Sequence, residues 1–419
     1  MLSFAGVTIQ LDSIKAFFLQ SPTTVVLELF ALIGWIIVVR LLLFAGLSLL
    51  EEYKSSQASM HWHWILLAVD IPPLNIQTPK AVEQMFSHLA GALEHVDIEH
   101  KFVHGIKQRW FSFEIISIEG YIQFLVRTEA ALRDLVEASI YAQYPEAEIT
   151  EVEDYVDTLP SKFPNQTHEI WAADFALAEG DAYPLRTYRE FEHSISKDTV
   201  LKDPMGTFLE SFTRIGPGEQ MWFQIIIEPT SNSWKHTCID KVNELIGDTT
   251  KHRQIDNKIV DFLSSAPIKA LEGVGDQIFG REASEPAPVE HSEPNKLKYL
   301  TPGQVKLVEA IELKMAKIGF KTKLRAIYLA RKEVFQPNRG VQALVGAIQQ
   351  FNIPSANSLV PKFGVNISYF FKKSRIRYRK NLLIKAYKKR KLRTGATPFI
   401  LNIEAVSYTH LTLPTTPYV

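Results

Sequence analysis

An uninterrupted apolar run near the amino terminus constrains the fold more than any other feature of the chain. Leu29 to Leu50 are 22 residues with a single charged side chain, Arg40. At about 1.5 Å per residue, a helix of this length crosses a hydrocarbon core of about 30 Å. A buried core helix seldom needs apolar residues around its whole circumference. The run therefore predicts one transmembrane helix at residues 29–50, preceded by a short segment at 1–28.

The predicted span is an anchor and not a cleaved signal peptide, because no basic segment precedes it and no A-x-A-like site follows. Lys15 and Lys54 lie on opposite sides of it, so basic residues do not decide its orientation. The use of a single cysteine favours a reducing cytosol for the soluble part. The pattern of residues 11–19 indicates a short amphipathic helix on the membrane surface opposite to the soluble part. The prediction is a single-pass protein of the cell (inner) membrane, with the lipid bilayer as a partner.

The soluble region begins with a module at residues 60–155. Apolar periodicity predicts strands at 62–71, 110–117, 121–127 and 147–152, with helices after Thr78 and Thr128. This β-α-β-β-α-β order is the ferredoxin-like pattern. The predicted fold class is α+β: one amino-terminal transmembrane helix followed by this module and a related one.

The related module is divided by a linker. Its first part, 166–247, contains predicted strands at 168–177 and 221–227 and helices at 204–215 and 234–246. Its continuation, 301–371, contains a helix from Thr301, a strand at 324–331 and a helix at 340–351. Residues 248–300 between them include the acidic, proline-rich stretch EASEPAPVEHSEP and predict a solvated connection or an excursion from the domain.

The formal net charge of zero conceals a division between the two parts of the chain. Residues 1–300 hold 24 basic and 42 acidic side chains, whereas 301–405 hold 22 basic and 4 acidic ones. A basic part of this kind predicts contact with a polyanion, either nucleic acid or an anionic membrane surface.

The basic charge is concentrated in a predicted connection at 372–405. Residues 372–393 contain 12 lysines or arginines and no acid, with Tyr378 and Tyr387 interleaved. Basic side chains with aromatic residues between them suit a phosphate backbone and its bases. A solvated helix beside a linker and a surface for anionic lipid are the alternatives. The candidate contacts with DNA or an anionic surface are Lys372, Lys373, Arg375, Arg377, Arg379, Lys380, Lys388, Lys389, Arg390, Lys391 and Arg393.

No catalytic, nucleotide-binding or metal-ligating residue is assigned. Gly275 to Glu282 has the glycine spacing of a phosphate-binding loop but lacks its lysine and hydroxyl. His61 and His63 share one face of a predicted strand without further ligands nearby. The acids at 148, 151 and 153 are expected on or near the solvent face of an edge strand. Cys238 excludes an intramolecular disulfide and is expected to be a small residue on the apolar side of a helix.

Six strings carry a resemblance to a known family. They are FSFEIIS at 111–117, IYAQYPEAEI at 140–149, EQMWFQIIIEP at 219–229, KIGFKTKLRAIYLARKEVF at 317–335, GAIQQFN at 346–352 and FILNIEA at 399–405. In this order they resemble the amino-terminal region of membrane-anchored ATPases related to type IV secretion coupling proteins and to the HerA/FtsK DNA-pumping group. The resemblance spans about residues 50–405.

The resemblance implies that an ATPase domain with Walker motifs follows this region in the intact protein. No Walker residue is present here, so no activity and no cofactor is assigned to residues 1–405; ATP and magnesium are implied for the intact protein only. The resemblance also implies a DNA-translocating or secretion function, a ring-shaped homo-oligomer and other secretion components as partners. The alternative is a non-enzymatic membrane scaffold or adaptor that binds protein partners.

The final segment, 406–419, is predicted to be a coding artefact. Residues 406–416 read VSYTHLTLPTT and resemble a translated transposase adapter from a DNA sequencing library. Segments of this kind are excluded from fold reasoning. We therefore expect the natural coding frame to be cut near Ala405, just before the implied motor domain.

Overall fold

The computed structural model describes residues 2–4, 7–9, 22–72, 79–94, 105–188, 204–247, 300–365 and 371–410. The chain divides into two compact units, Met1–His63 with Glu94–Gln108, and Trp64–Leu93 with Arg109–Val419. The predicted amphipathic segment at 11–19, nearly all of the linker at 248–300 and the glycine loop at 275–282 lie outside the described residues.

The first unit contains a short hairpin and one long helix. Strands β1 (Leu2–Phe4) and β2 (Val7–Ile9) pair antiparallel, and helix α1 extends over Pro22–Ser59. No helix among the described residues is both long enough and apolar enough to cross a bilayer.

The predicted transmembrane helix at Leu29–Leu50 was therefore wrong. A span needs about 20 consecutive, predominantly apolar residues. In the sequence, Arg40 interrupts the run and Glu28, Glu51 and Glu52 flank it. The single-pass location in the cell membrane and the lipid bilayer as a partner depended on this helix and lose their basis with it.

The second unit is built on one antiparallel sheet of nine strands. Eight of them lie in the order β10-β7-β9-β8-β4-β5-β3-β6, and β11 pairs with the free end of β9 beside β7. The strands are β3 (Trp64–Asp70), β4 (Phe111–Ile118), β5 (Tyr121–Glu129), β6 (Glu148–Glu151), β7 (His168–Leu177), β8 (Glu219–Pro229), β9 (Gly319–Arg331), β10 (Leu359–Gly364) and β11 (Phe399–Asn402).

Eight helices belong to the part of this unit that the structure describes. They are α2 (Pro79–Leu89), α3 (Arg133–Tyr141), α4 (Pro204–Thr213), α5 (Lys235–Ile246), α6 (Pro302–Met315), α7 (Pro337–Ile348), α8 (Lys372–Lys388) and α9 (Ile403–His410). The α+β class agrees with the prediction, and the elements from β3 to β6 follow in the predicted β-α-β-β-α-β order.

The sheet consists of two similar halves. In each half the first strand lies between the third and the fourth, giving the orders β6-β3-β5-β4 and β10-β7-β9-β8. This is the arrangement that a β-α-β-β-α-β connection produces. In the second half, helices α5 and α6 are inserted between β8 and β9. They pack on each other around Trp234, Cys238 and Ile311, so Cys238 is the small buried helix residue that was expected.

The halves join through their second strands. β4 and β8 pair antiparallel with Glu114 directly opposite Gln224, Phe113 opposite Ile225 and Ile115 opposite Phe223. The sequences Phe-Glu-Ile-Ile and Phe-Gln-Ile-Ile therefore meet about an approximate two-fold axis between Glu114 and Gln224. The sequence left open whether the two modules fold as one unit; the sheet that contains them is continuous.

The two faces of the sheet carry different layers. On one face, Phe86 of α2 contacts Phe113 with ring centroids 5.1 Å apart, and Phe208 of α4 contacts Phe223 at 4.9 Å. On the opposite face, Tyr387 of α8 lies against Trp222 at 5.3 Å. Alternation along β4 and β8 sends successive side chains to these two layers.

Helix α9 extends beyond Ala405. Val406 and Tyr408 are buried, and the Tyr408 ring meets Phe351 edge to face at 5.4 Å. These residues fall in the segment assigned to a coding artefact. They pack as part of the second unit, while their origin stays a prediction.

Candidate nucleic-acid interface

The basic segment forms helix α8 and the turn that follows it. The helix contains no glycine or proline, and it begins after Phe371, whose φ of 59° is left-handed. Its apolar side chains Leu383, Ile384 and Tyr387 are buried against the sheet. The segment is therefore a docked element of the domain, and not a separate connection.

Polar contacts hold the helix at several points along its length. Asn381 accepts a hydrogen bond from the Phe163 N–H at 2.6 Å and donates one to the Phe163 carbonyl at 2.9 Å. Lys388 donates to the Leu159 carbonyl at 2.6 Å. Arg379 donates to the Gly364 carbonyl at 2.9 Å, and Lys380 pairs with Glu169 at 2.5 Å.

A row of four polar side chains crosses the sheet beneath the turn. Glu114 of β4 faces Gln224 of β8, Gln224 faces Arg325 of β9, and Arg325 faces Asp174 of β7. All four are fully buried. Gln224 Nε2 donates to Glu114 Oε1 at 2.8 Å, and Arg325 Nε donates to Asp174 Oδ1 at 2.6 Å. Hydrogen bonding therefore satisfies the row across four adjacent strands.

Arg390 closes one end of the row. Its Nε and Nη2 donate to the two oxygens of Glu114 at 2.9 and 3.0 Å, and its Nη1 and Nη2 donate to Asp154 at 2.5 and 2.9 Å. The Tyr155 hydroxyl adds a bond to Glu114 Oε2 at 2.8 Å. A two-pronged guanidinium–carboxylate pair of this kind fixes geometry as well as charge.

The assignment of Arg390 as a contact for DNA or an anionic surface was wrong. Its side chain is fully buried, and both of its carboxylate partners belong to the protein. A buried arginine with two paired acids has no free donors to offer to a phosphate.

The charge of Arg390 determines the ionisation of its neighbours. Burial raises the pKa of the Glu114 carboxyl, but Arg390 and the hydrogen bonds from Ser112 and Gln224 outweigh burial and leave that pKa below its ordinary value. Burial raises the pKa values of Tyr155 and Tyr387 well above 10.0, so both remain neutral hydroxyls. Arg390 and its carboxylate partners therefore form a buried ion-pair network inside the domain.

The other end of the row holds the turn after α8. Asp174 Oδ2 accepts from Lys323 Nζ at 2.9 Å and from the Ala396 N–H at 3.0 Å. Arg325 Nη2 donates to the carbonyls of Lys391 and Thr394 at 3.3 and 3.0 Å. Burial lowers the pKa of Lys323, which the adjacent Asp174 partly offsets. The turn is thus fixed to the sheet through its backbone.

Most of the predicted contacts remain on the surface. Arg379, Lys380 and Lys388 are half-buried and use their charged ends within the domain, as described above. Apart from buried Arg390, the side chains of the remaining basic residues of this segment form no ion pair or hydrogen bond with the described part of the chain. These exposed residues are Lys372, Lys373, Arg375, Arg377, Lys385, Lys389, Lys391 and Arg393.

Comparison of the chain with protein-family models, curated proteins and solved structures gives no match. The resemblance to secretion and DNA-pumping ATPases therefore stays a prediction based on the sequence strings.

The other candidates from the sequence show no arrangement for chemistry. His61 and His63 are exposed and precede β3, which begins at Trp64, so they do not share a strand face. Among the described residues, no group of three or more histidine, cysteine or acidic side chains is placed to hold a metal. Glu148 and Glu151 are exposed on β6, an edge strand, as expected.

A buried amine lies elsewhere in the second unit. Lys314 of α6 lines a cavity of about 90 Å³, and burial lowers its pKa to about 8. Its amine donates to the carbonyls of Asp181 at 2.5 Å, Ile400 at 3.2 Å and Tyr183 at 3.4 Å. Three carbonyl acceptors satisfy all three ammonium donors, so Lys314 joins three backbone segments.

Sequence reasoning missed Glu114, Asp174 and Arg325, because each lies in a strand that was interpreted as an apolar run. One signal was available. Glu114 and Gln224 occupy the same place in the related strings FEII and FQII. An acid surrounded by apolar residues in a central strand indicates a buried partner of opposite charge.

Proposed function

We propose that this protein binds nucleic acid through the exposed basic side of α8 and its following turn, as a non-catalytic domain of a DNA-translocating or secretion ATPase. The observation that carries the proposal is the set of eight exposed basic side chains in a segment without acids. Neutralising phosphates with such side chains releases condensed counterions, which favours binding.

Rigid docking of the segment supports the same function. The helix is fixed by its buried apolar face, and the turn is fixed by Arg325 and Asp174. Binding to a preorganised surface loses less conformational entropy than binding to a flexible basic tail. A solvated charge run without function has no need for this many anchoring contacts.

The resemblance supports the wider setting of the proposal. In the intact protein, a motor domain would supply ATP hydrolysis with magnesium, and a homo-oligomeric ring would place several copies of α8 around one nucleic acid. Secretion components are further partners in this setting. The strings between residues 111 and 405 support this setting, and the described residues contribute the binding surface.

Paired variants test the proposal. Replacing Arg375 and Arg377 by glutamine should weaken the binding of both single-stranded and duplex DNA to the full chain, roughly tenfold at low salt. The matched control replaces Lys306 and Lys332, which are exposed outside the basic segment. Fluorescence anisotropy with labelled oligonucleotides measures each affinity.

The two pairs of variants also distinguish nucleic-acid binding from the alternative function. A scaffold or adaptor for protein partners predicts little DNA affinity and equal behaviour of both pairs. That result would remove nucleic-acid binding and leave protein partners as the surviving function.

A further inference from the structure

Two exposed aromatic rings lie within the basic surface of α8. Phe371 is 81% exposed and Tyr378 is 65% exposed. Large aromatic side chains usually contribute most of their surface to cores and interfaces. Neither ring contacts another aromatic ring among the described residues. Buried packing therefore does not explain why these two positions are aromatic.

Tyr378 shares one side of the helix with basic side chains, because Arg375, Tyr378, Lys385 and Lys389 follow one another at spacings of three, four or seven residues. Phe371 immediately precedes the helix, and its carbonyl accepts a hydrogen bond from the Arg375 N–H at 3.1 Å, so it stands at the amino-terminal end of this stripe. At a rise of about 1.5 Å per residue, the Cα atoms of Phe371 and Tyr378 are about 10 Å apart along the axis. Along this stripe, aromatic rings on which bases can stack alternate with basic side chains that can contact phosphates.

Backbone strain coincides with the first ring. Phe371 has a left-handed φ of 59°, a conformation that is unfavourable for a residue with a side chain. A glycine would adopt this conformation without that cost. Strain of this kind is retained most often where a side chain has a function, and it presents the Phe371 ring at the start of the helix.

We propose that the stripe binds single-stranded nucleic acid, with unpaired bases stacked on Phe371 and Tyr378 and phosphates contacted by Arg375, Lys385 and Lys389. This inference rests on the proposed function and names its substrate class. In a duplex the base faces are already stacked on each other about 3.4 Å apart, so rings about 10 Å apart find no free faces. An extended single strand has free base faces, and every base has a face that stacks on an aromatic ring.

Substitution of the rings tests the inference in the full chain. Phe371→Ala and Tyr378→Ala should each weaken the binding of a single-stranded oligothymidylate of about 20 nucleotides by roughly tenfold. Duplex DNA of the same length should bind each variant as it binds the unsubstituted protein. Tyr378→Phe retains the ring and should retain single-strand affinity, whereas Tyr378→Leu, which is apolar but cannot stack, should behave like Tyr378→Ala.

The outcomes separate this inference from the proposed function. If both forms of DNA bind and the ring substitutions change neither, the basic surface contacts phosphates alone and the inference fails while the proposed function stands. If neither form binds the unsubstituted protein, both fail. Because both rings are exposed, all four variants are expected to fold, which the far-ultraviolet circular dichroism of each checks.

Discussion

At the scale of single residues, Arg390 links the basic segment to the sheet more directly than any other side chain. It is fully buried and bonded to Glu114 of β4 and to Asp154, which lies in the segment after β6. Breaking a buried ion pair by removing one partner leaves an uncompensated charge, which costs about 3–5 kcal/mol. The position of the turn after α8 therefore depends on these carboxylates.

Glu114→Gln should destabilise the protein by about 3 kcal/mol, at the lower end of that range because Asp154 still pairs with Arg390. Urea unfolding measures the change. The control is Glu151→Gln, which breaks the exposed pair with Arg133 and should cost less than about 1 kcal/mol. Equal losses in the two variants would show that the buried pair contributes no more than a surface one.

The same carboxylate predicts a dependence on pH. The pKa of Glu114 is lowered in the folded protein from its ordinary value of 4.5. Its contribution to stability is therefore complete above about pH 4.5 and is lost as the pH falls through the folded-state pKa. The difference in unfolding free energy between the unsubstituted protein and Glu114→Gln should shrink below this pH. A difference that stays constant from neutral pH downward would contradict the assignment.

At the scale of elements, the turn after α8 is held by backbone contacts that leave no room for larger residues. Gly395 has a φ of 93°, and a Cβ atom at this position would overlap the carboxylate of Asp174. The Asp174 carboxylate accepts a hydrogen bond from the Ala396 N–H and forms an ion pair with Lys323. The geometry of the turn thus depends on a glycine and on an acid more than 200 residues earlier.

Gly395→Ala should lower the unfolding free energy by about 2 kcal/mol or more, since it adds backbone strain and displaces Asp174. Gly346→Ala is the matched control. Gly346 lies inside α7 with open space around it, so alanine should stabilise the helix by about 0.5–1 kcal/mol. Thermal unfolding followed by circular dichroism distinguishes these opposite signs. A neutral Gly395→Ala variant would indicate that the turn is not clamped.

Local periodicity predicted many of the elements. The strand at 168–177 has the predicted bounds, and a helix follows Thr78 as predicted. The short strands β10 and β11 were not predicted, because their pairing with β7 and β9 depends on distant residues and not on their own pattern. Helix α1 was correctly expected to be helical but was wrongly assigned to a bilayer.

At the scale of the whole second unit, the order of strands in the sheet depends on pairing between strands that are distant in the sequence. Local sequence patterns cannot specify that pairing. Glu114 and Gln224 meet across β4 and β8 although 110 residues separate them. Nothing in either strand specifies that the two halves share one sheet. The same applies to Arg390, whose partner Glu114 is 276 residues earlier. Its burial could not be predicted from the basic run that contains it.

The charge division of the chain is a property of the whole sequence, and the polyanion contact that it predicts stays a prediction. Most of the basic candidates remain exposed on α8 and its turn, and the sheet supplies the acids that hold Arg390 and the turn in place. The structure therefore separates the predicted contacts into residues that dock the segment and residues that are free to meet a polyanion.

The salt dependence of single-stranded DNA binding tests this account most directly. The logarithm of the affinity should fall linearly with the logarithm of the salt concentration, by about 0.7 for each phosphate contacted. Replacing Arg375 and Arg377 by glutamine should make the slope shallower by about 1.4, while replacing Lys306 and Lys332 should leave it unchanged. A slope that is the same in both pairs of variants, or no measurable binding at low salt, would contradict the account.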